Sequence, residues 1–80
     1  MTLFLYSTAG CHLCDDALII LKNMPELPQE DISVIEIGDD DALVNQYGIR
    51  IPVLRIGLEE LDWPFTTEQV SLFIHNKINN

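Results

Sequence analysis

Positive charge is the scarcest property of this chain. Four Lys and Arg (Lys22, Arg50, Arg55, Lys77) face thirteen Asp and Glu over 80 residues, a formal net charge of −9. A nucleic-acid interface needs a patch of phosphate-neutralising cations, which four scattered ones do not supply. An anionic membrane surface is disfavoured for the same reason. Long apolar runs are also missing. The longest, Ala17 to Leu21, falls far short of the ~20 residues of a membrane span. Met1 to Ser7 has no basic n-region and its apolar stretch stops at Tyr6, so no signal peptide is expected and the default location is cytoplasmic. Cysteine is limited to Cys11 and Cys14, too few for a disulfide scaffold. Zinc needs four ligands, typically from two distant pairs. His75 does not supply a second ligand pair at suitable spacing, so no single-chain zinc site is expected.

What remains is an ordinary globular composition, 48% apolar and 8% aromatic, too apolar for a disordered chain. The length fits one domain, residues 1–80. A domain this small buries roughly 60% of its unfolded surface, a marginal but workable core. No repeat or low-complexity segment interrupts it.

Hydrophobic periodicity predicts seven elements. Thr2 to Tyr6 reads as a buried strand, followed by a Ser-Thr-Ala-Gly loop. Residues 11–24 read as a helix whose stripe is Leu13, Ala17, Ile20 and Met24, flanked by Cys14, Leu18 and Leu21. Asp15 and Asp16 in its first turn and Lys22 near its last suit the helix dipole, and Pro25 ends it. Ile32 to Ile37 is a second strand. Asp39-Asp40-Asp41 offers an N-cap and acidic first turn to a short helix; the same triplet is also a possible metal site. Leu43, Val44 and Tyr47 give that helix an apolar face and Gly48 suits its C-cap. Ile51 to Ile56 is a third strand, with Pro52 at its start or edge. Gly57 marks a turn, and Leu58 to Leu61 returns as a fourth strand. Thr66 and Gln69 form a capping box for the last helix, with Phe65 and Val70 as hydrophobic staple. Its buried stripe is Val70, Phe73, Ile74 and Ile78. The order β-α-β-α-β-β-α implies a parallel first pair, an antiparallel hairpin and a mixed four-stranded α/β sheet with helices on its faces.

The chemistry concentrates at Cys11-His12-Leu13-Cys14. The pair follows a strand and opens a helix, the placement of a thioredoxin-like redox motif. A spacing of three puts both sulfurs on one turn. Unpaired N–H groups at a helix start favour an anion there and lower the first thiol's pKa. Cys11 is therefore the expected nucleophile and the more buried Cys14 the resolving cysteine. His12, when protonated, adds positive charge beside the thiolate; Asp15 and Asp16 oppose it. Other readings remain. A structural disulfide closing so short a loop removes at most about 2 kcal/mol of chain entropy. Two chains could share a metal or iron–sulfur cluster through Cys11 and Cys14, making the protein a carrier rather than an enzyme.

Leu3 to Cys14, together with Tyr47-Gly48-Ile49-Arg50-Ile51-Pro52-Val53-Leu54, resembles the glutaredoxins, and more closely the small bacterial glutaredoxin-like proteins with a Cys-His-Leu-Cys motif. The resemblance covers essentially the whole chain. It implies a thioredoxin fold and a disulfide oxidoreductase acting on a disulfide-containing protein or on glutathione. It further implies a cis Pro52 beside Cys11, Ile51 pairing its backbone with a bound thiol substrate, and Cys11 as the attacking cysteine. No bound cofactor is expected; glutathione is a possible co-substrate, and a monomer is expected. Where ordinary glutaredoxins have Pro-Tyr between the cysteines, this chain has His12-Leu13. Where they have Thr-Val before the cis-proline, it has Arg50-Ile51. Arg50 and the helix start at Thr66 and Thr67 are the obvious anchors for an anion. Trp63 and Phe65 would either rim the site for a protein substrate or pack over the hairpin, the latter favoured for Phe65. Tyr6 is expected in the core and His75 on the surface.

Overall fold

The fold is that of a computed structural model describing residues 2–78. Its elements are β1 (Leu3–Ser7), α1 (His12–Lys22), β2 (Ile32–Glu36), α2 (Asp41–Tyr47), β3 (Val53–Ile56), β4 (Glu59–Asp62) and α3 (Thr67–Ile78), with a single 3-10 turn at Gln29–Asp31. The strands form one sheet in the order β2-β1-β3-β4. β1 runs parallel to β2 (Leu3 opposite Ile32) and antiparallel to β3 (Tyr6 opposite Val53). β3 and β4 form an antiparallel hairpin. This is the mixed α/β sheet that the element order implies.

Alternation along the strands splits the apolar residues between two faces. Leu3, Leu5, Leu54 and Ile56 gather with Ala17, Leu21 and Met24 of the α1 region and Phe65, Val70 and Ile74 of the α3 region. On the other face Tyr6, Ile37, Tyr47 and Val53 form a smaller cluster with Leu43 of α2. Two helices thus cover one face and one short helix the other. Because β2 and β4 run in the same direction as β1, one end of the sheet collects the ends of β1, β2 and β4 and the start of β3.

The α1 stripe is rotated from the periodicity reading. Cys14, Ala17 and Leu21 are its buried residues, whereas Leu13 is 49% exposed. The helix spans 12–22 rather than 11–24, because Cys11 takes the cap and Asn23 closes the other end, its side-chain amide donating to the Ile19 carbonyl (2.8 Å). In α2 the apolar face is Leu43 and Tyr47; Val44 points outward. Asp40 alone of the acidic triplet is the N-cap, its Oδ1 accepting from the Ala42 and Leu43 amides (2.9 and 3.2 Å). β3 begins only after Pro52, which has no N–H to give to a ladder. β4 is shifted to Glu59–Asp62, since a two-residue turn of Gly57 and Leu58 joins the strands and Gly57 has φ +60°. The α3 capping box forms as read: the Thr66 amide donates to Gln69 Oε1 (2.8 Å) and the Gln69 amide to Thr66 Oγ1 (3.2 Å). Phe65 and Val70 are both buried beside it. The side chain of Ile78, read as part of the α3 stripe, lies outside the described residues.

Gly48 ends α2 for a different reason than a left-handed cap. Its φ of −52° is right-handed, but a Cβ there would stand 2.5 Å from the Val44 carbonyl oxygen. Backbone must move to admit any side chain. Gly48→Ala is expected to destabilise the fold by about 1–3 kcal/mol, the usual cost of overpacking. Denaturant titration of both proteins measures it, and an unchanged midpoint would show that the turn yields freely.

Candidate active site

β1 delivers the chain to the cysteine pair through Thr8, Ala9 and Gly10. Gly10 has φ +81°, a left-handed conformation that glycine adopts without steric cost. The Cys11 amide closes the turn on the Thr8 carbonyl (3.3 Å). Cys11 itself is extended (φ −86°, ψ 104°) and is the N-cap of α1. Its Sγ accepts a hydrogen bond from the Cys14 amide at 3.2 Å. A sulfur thus does what a Ser or Asp oxygen does at most helix starts. Cys11 and Cys14 are joined as a disulfide with a Cα–Cα distance of 5.2 Å, within the usual range. Their environments differ. Cys14 is 2% exposed against the α1 face of the core, while Cys11 is partly open to solvent. His12 and Leu13 between them are exposed.

The other candidate residues lie at the same end of the sheet. The register that sets Tyr6 opposite Val53 brings the exit of β1 alongside Pro52. Pro52 is buried, and the Ile51–Pro52 peptide is cis, as is Trp63–Pro64. Ile51 is partly buried against the α2-face cluster. Trp63, after β4, packs edge-on against Phe65 with ring centroids 5.0 Å apart and leans on the larger core, partly buried. Thr66 is exposed, but its amide and hydroxyl are both taken up in the capping box. Arg50 is not free either. Its Nη2 donates to Glu60 Oε1 (2.7 Å) and to Asp62 Oδ1 (2.8 Å). Of the anion anchors read from the sequence, Arg50 and Thr66 are therefore both engaged within the fold. Among the described residues no group of three or more His, Cys, Asp or Glu is arranged to hold a metal ion, and Asp40 of the acidic triplet serves as a helix cap.

Residues 2–75 match the family model described as Glutaredoxin-like domain (DUF836). The chain belongs to that glutaredoxin-like family. It is similar over 94% of its length to the X-ray structure of the structural-genomics target protein XcR50 from X. campestris, with 37% identity, a TM-score of 0.83 and 97% of that chain covered. The solution structure of XcR50 agrees, with 38% identity, a TM-score of 0.81 and 95% of each chain covered. No curated protein matches it. The fold of this glutaredoxin-like domain is thus thioredoxin-like, and its Cys11–Cys14 pair stands at disulfide distance. Among the described residues no helix is long and apolar enough to cross a membrane.

Glu36 is a part of this glutaredoxin-like site that the strand pattern hides. It ends β2 opposite Ser7, and its carboxylate reaches across to the loop before Cys11. Oε1 accepts from the Ala9 amide (3.0 Å) and Oε2 from the Gly38 amide (2.7 Å). Gly38 leaves room for this: a Cβ there would stand 3.0 Å from Glu36 Oε2 and 3.1 Å from Thr8 Oγ1. The Gly38 amide first, then the Thr8 hydroxyl, hold the Glu36 carboxyl below the usual range; burial opposes them weakly. Its one sequence signal is a charge at the end of an otherwise apolar alternation, immediately before Ile37-Gly38.

A carboxyl whose folded pKa is depressed stabilises the native state above its unfolded pKa, and that contribution is lost as pH falls through the folded value. Acidification should therefore loosen the Thr8–Cys11 loop late, below the range of a free Glu. The Ala9 and Gly38 amide resonances should titrate together with a midpoint below that range. A midpoint at or above the free-Glu value would mean that the carboxylate does not hold the loop.

Proposed function

We propose that this protein is a dithiol–disulfide oxidoreductase, with Cys11 as nucleophile and Cys14 as resolving cysteine. The observation that carries the reading is the unequal placement of the two sulfurs. Cys11 is partly open and caps a helix start, while Cys14 is 2% exposed one turn along. The amide that meets Cys11 Sγ, and the unpaired N–H groups around it, favour a thiolate over a thiol at that position. His12 beside it adds positive charge when protonated.

The electron count closes on the protein. The Cys11 thiolate attacks one sulfur of a substrate disulfide, forming a mixed disulfide and releasing the first thiolate. The Cys14 thiolate then attacks Cys11 Sγ, closing the Cys11–Cys14 disulfide and releasing the second. Two electrons pass from protein to substrate, and solvent protons neutralise the released thiolates. An external thiol such as glutathione returns the pair to the dithiol. Protein disulfides and glutathione mixed disulfides are the substrate class. Pro52 and Ile51 stand on the substrate side of the pair, with Trp63 at the rim. No bound cofactor is required, and the cytosol is the fitting compartment for a reductase of this kind.

Equilibration in graded thiol–disulfide buffers, followed by alkylation and mass measurement, tests the reading. A reversible transition assigned to Cys11–Cys14 is expected, with a glutathione adduct on Cys11 alone accumulating in Cys14→Ser. Cys11→Ser should lose all exchange activity while keeping its fold. If both thiols stay alkylatable across the whole buffer range, the redox reading fails, and bound iron or zinc after anaerobic purification would then point to a metal carrier formed by two chains.

A further inference from the structure

Arg50 is fixed from several directions. Its amide and that of Ile51 both donate to the Tyr47 carbonyl (2.8 and 3.0 Å), which pins the turn between α2 and Pro52. Its guanidinium carbon lies 5.2 Å from the Tyr47 ring centroid, a cation–π distance. The Tyr47 ring is in turn stacked on Tyr6 (4.1 Å, 14°) and buried. Glu60 joins the parts: Oε1 accepts from Arg50 and Oε2 accepts from the Tyr47 hydroxyl at 2.6 Å. Asp62 adds a second carboxylate to the same Arg50 nitrogen. One cation thus meets two anions, and the group as a whole is negative.

The other Lys and Arg side chains do not replace it. Lys77 pairs with Glu59. Arg55 lies over the rings of Phe4 and Tyr6 (4.7 and 5.7 Å). Lys22 ends α1, roughly 1.5 Å per residue away from the cysteine turn along an eleven-residue helix. At the α3 start the Thr66 amide is already bonded to Gln69.

We infer that Glu60 and Asp62 set the charge selectivity of the site. By holding Arg50 they withhold the cation that would attract a carboxylate-bearing disulfide such as glutathione. Within the substrate class proposed above, the preferred members are therefore disulfides with no flanking carboxylate, in proteins whose exposed cystine is bordered by neutral residues, and glutathione disulfides react more slowly. The inference rests on the dithiol reading and deepens it. Glu60 and Asp62 touch neither cysteine in this arrangement; they act through Arg50 and are positioning residues.

The test compares dithiodipropionate, a dianion, with its neutral diamide of the same shape. Each is mixed with the reduced protein and the rate of Cys11–Cys14 closure is followed by quenched alkylation. The anion-to-diamide rate ratio is divided by the same ratio for free dithiothreitol, which removes the intrinsic chemistry. For the wild type this normalised ratio should lie below one. In E60Q/D62N it should rise about three- to tenfold, the effect of uncovering one charge at the surface. In R50Q/E60Q/D62N, where the group is uncharged, it should fall about half of the way back. Asp62→Asn alone removes an exposed partner and should give a smaller rise in the same direction, which covers the case of a poorly folding double variant. A ratio unmoved by D62N and E60Q/D62N, or an equal rise in the triple variant, overturns the inference alone. If the wild type reacts with neither disulfide, the dithiol reading falls and takes this inference with it.

Discussion

A single hydrogen bond, from the Cys14 amide to the Cys11 sulfur, is the contact on which the site depends. A helix start leaves amides without partners, and here the partner is a group that can also be a nucleophile. The donor belongs to the residue that supplies the second sulfur, so capping and disulfide closure occupy the same turn. Everything upstream serves to aim Cys11 there. β1 is paired on both sides and cannot shift without breaking two ladders. Gly10 supplies the left-handed step out of the strand. Cys14, Ala17 and Leu21 hold the first turns of the helix against the core.

Around that turn the protein uses carboxylates where a basic anchor could have been expected. Glu36 accepts from the loop that leads to Cys11 and from Gly38, joining the ends of β1 and β2. Glu60 links Arg50 to Tyr47, joining the end of β4 to the turn after α2. Glu60 and Tyr47 shift in opposite directions as a result: the Arg50 guanidinium and then the Tyr47 hydroxyl keep the Glu60 carboxyl low, while Glu60 first, and then burial, push the Tyr47 phenol up. Each carboxylate is satisfied by donors from two elements. The high negative charge of the chain is thus partly structural.

Much of this was legible in the sequence because the deciding signals are local. A strand run, a cysteine pair at a helix start, a Thr-x-x-Gln box and a two-residue hairpin each lie within a few neighbouring residues, and their order leaves few topologies. The rotation of α1 was not legible. Periodicity cannot tell which of two adjacent stripes is buried when Leu13 and Cys14 are both apolar; the cap decides it, since Cys11 at the helix start points Cys14 inward and leaves Leu13 outside. The fate of Arg50 was hidden for another reason. It is ten residues from Glu60 and twelve from Asp62, and only the hairpin register brings them together. Glu36 and Ala9 are further apart still, and parallel pairing of β1 with β2 is what makes them neighbours.

The outermost strand on the hairpin side, Glu59 to Asp62, has three acids in four residues. An uncovered edge offers its free amides and carbonyls to any extended segment, including the same edge of another molecule. Like charges facing each other across such a pairing are repelled, so this edge resists adding a copy of itself. The repulsion comes from the same Glu60 and Asp62 that hold Arg50, which couples the colloidal behaviour of the protein to the architecture beside its cysteines.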